Sequence, residues 1–158
     1  MPANSSSSPF TQATAAEASV GPPLIGALLR MPFEAVRRRM LERLHERGFT
    51  DLEAAHLNVF QYPGPQGARP SELAARLRIS KQALNYLLGE LERLGYVERR
   101  PDADDQRSKR VILTRRGKAA VRVIREAVGE VETAWTQQLG PGRFSQLRSL
   151  LLELNQLA

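Results

Sequence analysis

The residues best suited to chemistry in this sequence cluster between Ser80 and Tyr86. Lys81 offers a cation for a phosphate or a guanine edge, and Gln82 and Asn85 carry the carboxamide that meets adenine in two hydrogen bonds. Tyr86 suits the nucleic-acid backbone or a thymine methyl. Ser80, directly before them, brings a hydroxyl that can cap a helix. This is recognition chemistry, not bond-making chemistry. The sequence has no phosphate-binding glycine loop, no nucleophile elbow and no histidine-carboxylate motif, so the chain is read as non-enzymatic. With no cysteine and only His45 and His56, a disulfide framework, a thiolate metal site and a thiol-oxidation sensor are excluded, and no metal or cofactor is expected. The two histidines, Tyr62 and Trp135 are read as core or surface structure. Polar residues at a helix start are also ordinary solvated positions, so the elements around them must decide.

Those elements follow from apolar spacing. Leu29, Phe33, Val36, Met40 and Leu44 recur at three- and four-residue steps and predict helix over 24–47, stopped by Gly48. Pro32 removes an amide inside that run, which predicts a break or kink near Arg30 and Met31 and two helical pieces. Thr50-Asp51-Leu52-Glu53 has the capping-box pattern and predicts a helix from 51 to about 62. The proline- and glycine-rich stretch 62–67 reads as a loop. Pro70 suits a first helical position ahead of Leu73, Ala74 and Leu77. After a tight turn at Arg78, Ser80 opens a helix with Leu84, Leu87, Leu88, Leu91 and Leu94 inward, ending at Gly95. Residues 96–100 and 109–114 read as two strands of a hairpin around an aspartate-rich loop. Two further helices follow, one through Val121, Ile124, Val128, Val131, Trp135 and Leu139, the other from Phe144 to Leu157 with a leucine stripe.

The order describes a mainly α chain with one small β-hairpin: a winged helix-turn-helix core between N- and C-terminal helices. The regions are a disordered tail at 1–21, an N-terminal dimerisation helix region at 22–49, the winged core at 50–117 and C-terminal dimerisation helices at 118–158. Charge is concentrated in that core. Residues 69–118 hold thirteen Lys or Arg against seven Asp or Glu, while the rest has ten of each, so the whole formal charge of +6 sits there. A localised basic segment suits a polyanion such as DNA, and equally a solvated basic face. No apolar run approaches a membrane span, and the amino terminus lacks the pattern of a secretory signal, so a cytoplasmic protein without membrane contact is expected.

Pro70-Ser71-Glu72-Leu73-Ala74, Ser80-Lys81-Gln82, the run from Leu91 to Arg99, Asp105-Gln106-Arg107, Leu113-Thr114 and Gly117 together resemble the MarR family of transcriptional regulators. The resemblance is specific over 70–117 and rests on helix order elsewhere. It implies that Arg107, at the wing tip, enters the minor groove, with Asp105 as its local partner. Arg99, Arg100, Lys109 and Arg110 would then touch phosphate, against the alternative of a solvated loop with incidental ion pairs. It further implies a homodimer built from both termini, a palindromic double-stranded DNA operator, and repression relieved by a small aromatic or anionic effector, whose site no residue here marks. A winged-helix adaptor that binds protein without specific DNA is the alternative. Arg78 departs from the family, which often has glycine in that turn.

Overall fold

The structure, a computed structural model, describes residues 21–60, 67–102 and 108–157. The elements, in chain order, are α1 (Ile25–Glu46), α2 (Ala54–Phe60), α3 (Pro70–Leu77), α4 (Lys81–Arg93), β1 (Val97–Pro101), β2 (Lys109–Leu113), α5 (Arg115–Leu139) and α6 (Pro141–Leu157). The expected tail, most of the 62–67 loop, and Asp105 and Arg107 lie outside the described residues. Two compact units divide the chain, residues through Phe33 and Glu34–Ala158. In the first, Leu24, Ile25, Leu28 and Met31 are exposed.

Two expectations are corrected. The two helical pieces expected around Pro32 are not separate elements: α1 runs from Ile25 to Glu46 with Pro32 inside it. Proline's fixed φ is already helical, and the one amide it lacks would have bonded the carbonyl of Leu28, a half-exposed residue. Nor does the capping box at Thr50 open a helix at 51, since α2 begins at Ala54. Asp51, just ahead of α2, faces the core: its carboxylate accepts from the Tyr96 hydroxyl at 2.5 Å and from Arg116 at 2.8 Å. The Glu53 amide instead donates to Nδ1 of buried His56 at 3.1 Å.

The core of the second unit gathers apolar residues from every element but α6: Met40 and Leu44 of α1, Leu57 and Phe60 of α2, Leu73 of α3, Leu84, Leu88 and Leu91 of α4, Val97 and Val111 of the hairpin, and Val123 and Ile124 of α5. Tyr96 sits fully buried among them, with Phe60 edge-on at 5.8 Å. Arg116 lies 4.4 Å over its ring and bonds the Leu94 carbonyl at 2.6 Å. Arg39 and Arg43 of α1 both reach Glu130 of α5, at 2.7 and 2.9 Å. Beside Trp135 of α5 and Phe144 and Leu147 of α6 runs an apolar groove of about 230 Å³. Helix α6 has no buried residue among those described.

Candidate nucleic-acid interface

Helices α3 and α4 are joined by a turn in which Arg78 adopts the left-handed conformation, φ 52° and ψ 40°. A side chain there costs about 1 kcal/mol relative to glycine. The turn is held nonetheless by the Ile79 amide on the Ala74 carbonyl at 3.2 Å. Ser80 is the N-cap of α4, its hydroxyl accepting from the Ala83 amide at 3.0 Å. From that fixed start the 100° step per residue divides α4 cleanly. Leu84, Leu88 and Leu91 are buried, while Lys81, Gln82, Asn85 and Tyr86 are exposed together, Tyr86 at 68%. The Tyr86 hydroxyl donates to Glu90 at 3.3 Å, and Glu90 in turn faces His56 Nε2 at 3.4 Å.

Strands β1 and β2 pair antiparallel in the register Val97↔Leu113, Arg99↔Val111, Arg100↔Arg110 and Pro101↔Lys109. Two arginines directly opposite would repel. Each has a carboxylate of its own, Arg100 with Glu98 at 2.6 Å and Arg110 with Asp102 at 3.1 Å. Arg99 is half-buried against Glu92 of α4 at 3.5 Å, whereas Lys109 and Arg100 are exposed. Of the hairpin cations read from the sequence, then, Arg100 and Lys109 face solvent, and Arg99 and Arg110 are turned to partners within the fold.

The hairpin does not stand alone. Ala68 and Val111 exchange two backbone hydrogen bonds, at 3.1 and 2.9 Å, so residues around 68 run as a short third edge beside β2. Gly67 makes this approach feasible, because a Cβ there would strike the Val111 carbonyl oxygen. At the far end Thr114 caps α5 by accepting from the Gly117 amide at 3.1 Å, and its hydroxyl donates to the Gly95 carbonyl at 2.6 Å. Gly117 packs so closely on the Tyr96 carbonyl that no side chain fits. Sequence reasoning missed Asp51, Arg69, Asp102 and Arg116 as partners in these joints. Their only signal was an acid or a base on an otherwise apolar or polar stretch, and spacing along the chain does not tell which of them meet.

A short helix, a tight turn, a capped helix with a polar outer face and a tethered two-stranded hairpin define a winged helix-turn-helix protein. The MarR family model matches residues 47–108. The HTH-type transcriptional regulator YkoM of Bacillus subtilis is 31% identical over 85 residues, 54% of this chain and 54% of that protein, so the match spans about half the length of this curated relative. Among solved structures, wild-type apo MarR from E. coli is 27% identical with a TM-score of 0.65, over 85% of this chain and 98% of that one. A mutant of S. aureus MepR bound to an oligodeoxyribonucleotide shares the fold, with 23% identity and a TM-score of 0.55 over 87% of this chain and 100% of that one. The chain is thus similar to the MarR family in sequence over residues 47–108 and to its solved members in fold.

Proposed function

We propose that this protein is a sequence-specific DNA-binding transcriptional regulator, a repressor that acts in the cytoplasm as a homodimer on a palindromic operator and carries no enzymatic activity. The observation that carries the reading is the face of α4. Lys81, Gln82, Asn85 and Tyr86 share one exposed side of a helix whose start is pinned by the Ser80 cap and whose other side is locked in the core. In a helix-turn-helix such N-terminal side chains meet base edges in the major groove. Arg100, Lys109 and Arg107 then supply the hairpin's contacts to phosphate and the minor groove, with Asp105 orienting Arg107. Arg99 and Arg110, already paired within the fold, contribute less. The oligonucleotide bound to MepR, a protein of the same fold, supports the placement. A small aromatic or anionic effector that alters the separation of the two DNA-binding lobes completes the proposal.

Selection of duplexes from a random pool, followed by mobility shifts, tests this reading. The wild type should enrich a palindrome whose half-sites lie about one helical turn apart, roughly 34–36 Å. Gln82→Ala or Asn85→Ala should relax discrimination at one position by ~1 to 3 kcal/mol, and Arg107→Ala should weaken binding to the enriched site. Equal affinity of the wild type for every duplex would leave the winged-helix adaptor in its place.

A further inference from the structure

Asp102 has a carboxylate with no solvent exposure, at the point where β1 gives way to the hairpin loop. An ionised carboxylate is held in such a place only by partners that neutralise it. Two guanidiniums among the described residues do so: Arg69 Nε donates to Oδ2 at 2.7 Å and Arg110 Nε donates to the same oxygen at 3.1 Å. They come from different parts of the chain. Arg69 is the residue before α3, and its own amide is held by Glu72 at 3.1 Å, while Arg110 lies on β2 and also donates to the Gly67 carbonyl at 3.3 Å. The Asp102 amide donates to the Ser108 carbonyl at 3.0 Å, closing the loop across its two ends. One side chain therefore ties the loop stem, the second strand and the entry to α3 to a single point.

Building on the function proposed above, we propose that Asp102 is the positioning residue that gives the hairpin its DNA selectivity. It does so in two ways. A two-stranded hairpin has little rigidity of its own, so its direction must be set by what its base is fastened to, and the triad fastens it to the helix-turn-helix. The same carboxylate also withholds two guanidiniums from phosphate. Free arginines beside a duplex strengthen binding to any sequence through counterion release, which dilutes discrimination. The triad thus converts two cations that would bind indiscriminately into a fixed joint that aims the hairpin.

The test uses Asp102→Asn in the full chain, which keeps the shape and removes the charge. Amide exchange at Ala68 and Val111 should speed up by about tenfold or more, while the Leu88 and Leu91 amides in α4 keep their protection. Affinity for the duplex enriched by the wild type should fall about tenfold. Affinity for random duplex should hold or rise, with the log–log salt slope steeper by up to about 0.9 for each arginine released. The double variant Asp102→Asn/Arg110→Gln, with one cation removed, should return the slope toward the wild-type value. Parallel losses on both duplexes with an unchanged slope, or unchanged exchange at Ala68 and Val111, would overturn the proposal. Should the wild type show no preference among duplexes, the regulator reading and the selectivity role fall together. The exchange measurement then still decides whether Asp102 fastens the stem.

Discussion

Asp51, Tyr96 and Arg116 show how a single buried hydroxyl fixes the charge state around it. Burial raises the Tyr96 phenol above its ordinary range, and the hydrogen bond to Asp51 raises it further. Burial also pushes the Asp51 carboxyl up, but the Tyr96 hydroxyl and the Arg116 guanidinium outweigh it and leave the group below the usual aspartate range. A carboxyl depressed by folding binds its proton more weakly in the folded chain than in the unfolded one. Its contribution is present above the unfolded value, about 3.9, and is lost as pH falls through the lower folded value. Asp51→Asn should therefore destabilise the protein by about 1 to 3 kcal/mol at pH 7, through the weakened charged hydrogen bonds. It should also flatten the fall in urea midpoint between about pH 5 and pH 2. Glu130 is likewise depressed, first by its hydrogen bond from Arg39, and supplies a residual acid slope, screened because the pair is partly exposed. A variant whose midpoint falls as steeply as the wild type would show that Asp51 is not a source of acid sensitivity.

The joint where the hairpin meets α5 makes a sharper demand. Alanine is normally favoured over glycine in a helix by about 1 kcal/mol, and Gly117 lies in the first turn of α5. Yet a Cβ at 117 would collide with the Tyr96 backbone, which cannot swing aside as a flexible side chain could. Gly117→Ala is expected to destabilise by at least about 2 kcal/mol in urea unfolding, and a stabilised variant would show that the joint yields. Thr114 and Gly117 were legible in the sequence as parts of a family pattern, and the packing supplies their reason. The apolar periods placed α3, α4, α5 and both strands, because each of these buries one stripe and the stripe sets its phase, and they placed α6 by a leucine stripe that stays exposed. The Ser80 cap and the outer face of α4 were legible for the same reason. Local rules failed at two places: the Glu53 amide turns to buried His56 and α2 opens only at Ala54, and Pro32 is carried inside α1. Asp102 looked like one acid among several in a polar loop, since only the fold brings Arg69, more than thirty residues earlier, to it.

Helix α6 leaves a large apolar surface uncovered. Leu147, Leu150, Leu151, Leu152, Leu154 and Leu157 are all substantially exposed, up to 85% at Leu157. A fully buried leucine gains roughly 1.5 to 3 kcal/mol, so a stripe of six left in water forgoes a sum comparable to the whole stability of a small domain. A second copy offering the same stripe satisfies both at once, which is the logic of a two-fold interface and the basis of the dimer in the proposed function. Removal of residues 141–158 should give a monomer in light scattering. It should also weaken operator binding by about a hundredfold, because the second recognition helix is no longer held at its half-site. The core beneath α3, α4 and the hairpin draws on none of those leucines, so amide protection at Leu88 and Leu91 should survive the truncation. The double substitution Leu150→Glu/Leu154→Glu keeps the helix and charges only the stripe, and should reproduce the dissociation. A dimer that persists in both variants would mean that the copies meet elsewhere, and that the leucines of α6 face something other than their own kind.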